Sequence, residues 1–556
     1  MNKKYYKVFN PIVISLLLPL SHATYANVII NNGSSSNVRG VQVVNINTPN
    51  ANGLSHNVYS KFDVDPQGVI LNNSQIGAVT QIADQIMGNA NLRNGTAKVI
   101  LNEVNSGFYS RIRGTVEVAG TKANVIIANP SGIICGGCRF INANNVTLST
   151  GFVDTQNNKL NGYSVSRGDI TISDSGLSTD STLALHGQTV NITGVIKAKD
   201  IYVVAGNNYV DLNNKITQTL NPTSKNSNFY YNIDISELGG MYANKIILLS
   251  NQDKKGIRNQ GQIEAGGAGL DIDSKYRLIN TGNIKSIGSI NANVYYQLTN
   301  TGGKITSNQN IKLVLNGLGT LANSNNALIS ADGNLDINSG TVTNIDSQLS
   351  SGNQMTINTN NGYLKNSGEK SQANIRGGNI NIQTAKGALR NNNATIQGMN
   401  VNIDAATVDN IVGSINAGNN VTISANGKIN NNGGLIRAQF GRVKLSSING
   451  FITNNNTIQN NVQLNGPNES VRGIIAGSSS GGIDITTGSA STGFTNANGQ
   501  TISQGDINLQ IQNSVYNQNG KLQANKKLQI KANSLNNSQG SISAKGGILF
   551  DINNIY

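Results

Sequence analysis

Two cysteines, three histidines and 27 acidic residues are the groups in this 556-residue chain that could cut, bind metal or carry electrons. The cysteines stand together in Ile134-Cys135-Gly136-Gly137-Cys138-Arg139. A C-x-x-C pair can be half a zinc site, a redox motif or a local disulfide. Zinc needs two further ligands, and only His22, His56 and His186 are available. A thioredoxin-like motif needs a βαβ context, which the flanking residues do not offer. In an oxidising compartment a small Cys135–Cys138 disulfide loop, eased by its two glycines, is the simplest account, with a free reactive dithiol as the alternative. Cleavage of carbohydrate needs carboxylates converging on one face. The nearest candidates are Asp271 with Asp273, and Asp332 with Asp336. Alternate residues of a strand share a face, so the first two could pair. All four nevertheless occupy ordinary repeat positions, where acidic side chains are simply hydrated. No catalytic residue, cofactor or metal site is expected, and the chain reads as a non-enzyme.

The scaffold has an unusual composition. Only 12% of residues are charged and 37% hydrophobic, against about 25% and 45–50% in ordinary globular proteins. Asparagine fills about 90 positions, several times its ordinary share. Disorder needs low hydrophobicity with high charge, and here charge is scarce while Ile and Val recur. The formal charge of +14 comes from 41 basic residues that never run beyond a pair such as Lys254-Lys255 or Lys526-Lys527. Nucleic-acid binders cluster such charge and interleave aromatics, so no nucleic-acid partner is expected, and the basic surface suits anionic cell surfaces or glycans.

The amino terminus is an address. Lys3, Lys4 and Lys7 precede an apolar stretch from Ile12 to Leu20 and small residues ending at Ala26. That order defines a secretory signal peptide over 1–26, cleaved between Ala26 and Asn27. Nine or ten apolar residues are too few to cross a bilayer as a helix, and no later segment approaches the required length, so no stable membrane span is expected.

From about residue 257 one phrase returns: an apolar residue, a spacer, Asn, a Gly- or Asn-rich turn, then Ile or Leu. Ile257-Arg258-Asn259 and Leu278-Ile279-Asn280 begin it. The anchors read as Asn259, Asn280, Asn300, Asn323, Asn344, Asn366, Asn391, Asn410, Asn430 and Asn454, in steps of 21, 20, 23, 21, 22, 25, 19, 20 and 24. The phrase resumes at Asn517 and Asn536. Such a period means a solenoid. Short alternations such as Gly378-Asn379-Ile380-Asn381-Ile382 are strands rather than helical returns, and three strands with three turns fit about 20 residues. The fold class is all-β, a right-handed parallel β-helix with extra β-hairpins near the amino terminus. Asn suits the corners because it tolerates left-handed φ, and stacked amides can bond along the axis. The organisation reads as signal 1–26, a denser domain 27–250, repeats 251–460, an irregular insertion 461–510 and resumed repeats 511–556. The last strand shows no polar cap, which reads as a shortened version of a longer protein.

The denser segment contains Gly53-Leu54-Ser55-His56-Asn57-Val58-Tyr59, Gly68-Val69-Ile70-Leu71-Asn72-Asn73-Ser74, Asn89-Ala90-Asn91-Leu92 and Val125-Ile126-Ile127-Ala128-Asn129-Pro130-Ser131-Gly132-Ile133. Together these closely resemble the secretion domain of two-partner secretion exoproteins, a family of filamentous haemagglutinins, contact-dependent growth inhibition exoproteins and secreted haemolysins. The family's Asn-Pro-Asn-Leu motif stands here as Asn89-Ala90-Asn91-Leu92, and its Asn-Pro-Asn-Gly motif as Asn129-Pro130-Ser131-Gly132. Both keep turn-forming residues. They either shape turns of the amino-terminal coils or touch the export partner. The resemblance implies an outer-membrane β-barrel transporter with periplasmic recognition domains as partner, and a Gram-negative protein that is secreted or held at the cell surface. The leading functional expectation is a filamentous adhesin that binds a receptor or glycan on host or neighbouring cells. The runner-up is the stalk of a growth-inhibition toxin or a haemolysin, truncated before its effector region.

Overall fold

The computed structural model describes residues 28–31, 33–221, 230–360, 362–458 and 472–556. The signal peptide, with Ala26 and Asn27 at its cleavage point, lies outside them, as do residues 461–471 of the expected insertion. Apart from one 3-10 turn at Ala90–Leu92, every regular element among the described residues is a β-strand.

Alternation along the short strands dictates the architecture. Ile290–Val294 reads buried, exposed, buried, exposed, buried, and Leu335–Ser339 follows the same beat. Each strand pairs in parallel with its counterpart one coil later, so inward residues of one coil stack on those of the next. Leu270, Ile290, Ile311, Leu335, Met355 and Ile380 form one such unbroken column, all buried. Fully burying side chains of this size is worth about 1.5–3 kcal/mol apiece. The result is a parallel β-solenoid: among the described residues, one sheet of 55 strands closes around an apolar lumen.

The second stabilising element is polar. Among the described residues thirteen asparagines from Asn259 to Asn537 form a ladder, all but the half-buried Asn537 fully inside. Each Nδ2 donates to the next Oδ1 at 2.6–2.9 Å. The same amides donate to turn carbonyls, as Asn344 does to Ser347 at 2.9 Å. The ladder opens at Asn259, whose Oδ1 has no donor because Ile235 occupies the equivalent place one coil earlier. Asn431 and Asn537 are the rungs, where the sequence pattern chose Asn430 and Asn536. In Ile429-Asn430-Asn431 the pleat turns the second residue outward and the third inward, as it does in Leu535-Asn536-Asn537. Residues 473–510, read from sequence as part of an irregular insertion, carry strands in parallel register with the coils on both sides. Their rung, Asn496, bridges Asn454 and Asn517.

The amino-terminal region departs from alternation where a second layer covers the coils. Val125-Ile126-Ile127 and Val69-Ile70-Leu71 are buried throughout or nearly so, as expected of strands covered on both faces. Ile126 and Leu101 lie beneath an antiparallel four-stranded sheet (Phe152–Gln156, Lys159–Val165, Asn208–Asp211, Ile216–Thr219), docked through Leu160, Tyr163, Val165 and Val210. Ile70 lies beneath the hairpin Gly77–Thr80/Asp84–Met87. At the open end, Val28–Ile30 pairs antiparallel with Leu54–Phe62, and Ser34–Val38 folds back on Val41–Asn45, which blunts the first strand edges.

Candidate export-recognition site

Both sequence motifs form turns whose asparagines face inward. Asn89 is 2% exposed. Its side chain accepts from the Asn91 backbone N–H at 3.0 Å and donates to the carbonyls of Ile46 and Asn72 at 2.9 and 3.0 Å. It thus caps the 3-10 turn while tying two coils together. Asn91 donates to the same Ile46 carbonyl, Leu92 is fully buried, and Ala90 is the exposed member. Asn129 repeats the arrangement: it accepts from the Ser131 N–H at 2.9 Å and donates to the Phe108 carbonyl and Ser110 Oγ. Ser131 Oγ donates to the Ser106 carbonyl, and Pro130 is buried. Gly132 adopts φ of +125°, and a Cβ there would sit 2.2 Å from the Tyr109 ring. In the folded domain the two motifs are internal staples, and the exposed surface beside the first is the apolar hairpin, where Ile76, Val79 and Met87 are 96%, 82% and 86% exposed.

Cys135 and Cys138 are disulfide-bonded and buried in the lumen. They stack between Ile112 and Ile172 on one strand and against Leu177 on the next. The acidic candidates do not assemble a site. Asp271 is held by Lys245 Nζ at 2.6 Å and accepts from Asn291, and Asp273 accepts from Asn293. Asp336 stands in strand register beside Lys312, with Asp332 in the preceding turn. Among the described residues no group of three His, Cys, Asp or Glu side chains could hold a metal.

One buried group had no sequence signal. His186 lies beneath the four-stranded sheet with its Nε2 2.9 Å from Asn214 Oδ1, its Nδ1 without a partner, and the Tyr163 ring 5.2 Å away. Burial pushes its pKa down to about 4, opposed by the Asn214 contact and the charge of Asp211. Only the tertiary lid makes this histidine unusual.

Residues 24–286 match the TPS secretion domain. This chain belongs to the two-partner secretion exoproteins. The match runs past residue 250, where the sequence pattern divides the chain, and takes in the first rungs of the asparagine ladder. The exoprotein is 42% identical over 270 residues to "Toxin CdiA" of Yersinia pestis, an alignment covering 48% of this chain and 8% of that protein. It is 30% identical over 547 residues to "16S rRNA endonuclease CdiA" of Enterobacter cloacae subsp. cloacae, covering 92% of this chain and 16% of that one. It therefore spans a small fraction of these relatives' length. A solved filamentous hemagglutinin secretion domain is 28% identical, with a TM-score of 0.43, covering 55% of this chain and 99% of that chain. As an exoprotein of this family it is secreted or displayed at the surface of a Gram-negative cell.

Proposed function

We propose that the exoprotein leaves the periplasm through a dedicated outer-membrane β-barrel transporter that recognises its amino-terminal domain, and that the solenoid then serves outside as a cell-binding shaft. The observation that carries this reading is continuity. Ile233–Ile235 pairs with Ile257–Asn259, and Gly240–Ser250 pairs with Gln262–Ser274, so the export domain is the first part of the shaft. Coils that fold outside one after another on that template would oppose back-sliding. Because Asn89, Leu92 and Asn129 are buried once folded, any contact they make with the transporter belongs to the unfolded chain, whose strand segments can add to a partner's sheet. Coexpression with and without a candidate transporter tests export: partner-dependent protein in the medium or on the surface supports it, and equal retention in the periplasm overturns it.

A second reading, the stalk of a contact-dependent growth inhibition protein, is favoured by the CdiA match, which extends through the shaft as well as the secretion domain. Coculture separates the two. Cell binding without growth arrest supports the adhesin, and arrest of contacted neighbours supports the stalk.

A further inference from the structure

The strand of each coil that includes Ile290–Val294 and Leu335–Ser339 turns alternate residues outward. Its central outward column reads Lys312, Asp336, Thr356 and Asn381, then Asn402, Thr422, Lys444 and Asp484, in unbroken parallel register. Taken from its two ends towards the middle, the column matches itself: lysine meets aspartate, aspartate meets lysine, threonine meets threonine and asparagine meets asparagine. An isologous two-fold interface needs this self-complementarity, because residue i of one copy faces j of the other while j faces i.

Turning a second copy over about an axis along the strands, midway between the Asn381 and Asn402 coils, reverses the order of coils and leaves each column opposite itself. Lys312 then faces Asp484 of the second copy, and Asp336 faces Lys444. The flanking columns agree with this placement. Asp404 falls opposite Gln383, whose amide can donate to it, and Val314 falls opposite Thr486. Arg442, two residues along the strand from Lys444, adds a second positive charge beside Asp336. It already holds Asp484 through two bonds at 2.7 and 2.9 Å, and a carboxylate with four lone-pair sites has room for a further donor. Shifting the axis by half a coil in either direction brings like charges together. Centred on the Asn381 coil it sets Lys312 against Lys444, and centred on the Asn402 coil it sets Asp336 against Asp484, so repulsion fixes the register. Eight coils at about 4.8 Å, by three outward columns about 6.6 Å apart, cover roughly 760 Å² per copy. A standard protein–protein interface takes about 800 Å² from each partner.

We propose that two copies of the exoprotein associate side by side and antiparallel through this face, with the two-fold axis between Asn381 and Asn402. The four lysine–carboxylate pairs sit towards the ends of the contact and set its register. The Thr and Asn side chains at the centre interdigitate as a polar zipper, the amides bonding across the interface as they do between stacked sheets. The inference deepens the cell-binding reading and rests on the shaft's place outside the cell. Shafts projecting from two facing cells meet antiparallel, so the partner on a neighbouring cell is a second shaft.

The test is sedimentation velocity on the purified mature protein over a range of concentrations. The parent should pass from monomer to dimer, and the balance should move back to monomer as salt rises. In a homodimer Lys444→Glu sets carboxylate against carboxylate, and Asp336→Lys sets ammonium against ammonium. Each variant alone should therefore dimerise roughly a hundredfold more weakly. An equimolar mixture of the two should form a heterodimer about as tight as the parent's dimer, because every repulsive pair becomes a lysine–carboxylate pair. Circular dichroism and melting of each variant should match the parent's. A parent that stays monomeric, variants that dimerise as the parent does, or a mixture no tighter than its components would overturn the proposal. Because the assay needs no transporter, its failure leaves the export reading untouched.

Discussion

Replacing Asn344 by alanine should break the shaft in its middle. Asn344 is fully buried, accepts from Asn323 Nδ2 at 2.9 Å, and donates to Asn366 Oδ1 at 2.8 Å and to the Ser347 and Asn374 carbonyls at 2.9 and 3.2 Å. Alanine leaves the Asn366 Oδ1 without its donor, while the Ser347 carbonyl keeps the Asn374 backbone N–H and Asn323 keeps its bond to the Gln348 carbonyl. A buried polar group left unpaired costs about 1–3 kcal/mol, so this group with the lost amide bonds and the small void should cost about 2–4 kcal/mol. The comparison is Asn358→Ala on an outward position of a nearby strand, where surface changes stay within about 0.5 kcal/mol. Solenoid stability sums over coils and their interfaces, so the loss should be local. In guanidinium the variant should unfold at lower denaturant and in two phases, and limited proteolysis of the native protein should cut near residues 340–350. Equal midpoints and equal proteolytic resistance for the two variants would refute the ladder's structural role.

Three further outcomes are expected. The unfolded imidazole titrates near 6.5 and folded His186 near 4, so between those values the unfolded chain binds a proton that the folded one refuses. Docking of the four-stranded sheet should therefore weaken as pH falls through that window, by at most about 3 kcal/mol; near-UV dichroism should follow it, and an unchanged profile in His186→Phe would contradict this. Asp346 accepts backbone N–H groups of Glu369, Lys370 and Ser371 at 2.7–2.9 Å. Burial acts against its ionisation, but these bonds prevail and hold its carboxyl below the usual range. Asp346→Ala should speed amide exchange at 369–371 roughly tenfold, and acidification through the folded pKa should do the same in the parent; unchanged exchange would argue that the turn holds itself. Finally, Gly132→Ala forces a side chain into φ of +125° beside Tyr109 and should cost about 1–3 kcal/mol. Pairing it with Tyr109→Ala should relieve only the clash, and a melting point equal to the parent's in the single variant would count against a strained turn.

The coil period, the strand alternation and the two motifs were legible because each is a local pattern of residue types. Asn430 and Asn536 were mistaken for rungs because two adjacent asparagines satisfy a spacing rule equally, whereas the pleat admits one. Asn496 was missed because 42 residues separate it from Asn454, twice the usual step. The burial of Asn89 and Asn129 could not be read from their turn chemistry, since exposed turns use the same residues. His186 was illegible for a different reason. Its setting depends on a lid whose Asn214 lies 28 residues away, a relation that does not exist in a one-dimensional reading.

The rungs all point one way: every ladder amide donates toward the carboxyl-terminal side, and every coil is bonded to the next across similar strands. Pulled from its carboxyl-terminal end, such a rod does not share the load among its coils. The outermost coil peels off while those behind it stay intact, so the force needed is set by one coil and not by the length of the shaft. A longer shaft would reach farther without resisting more, and after a tug the remaining coils would be the template on which the released one rewinds.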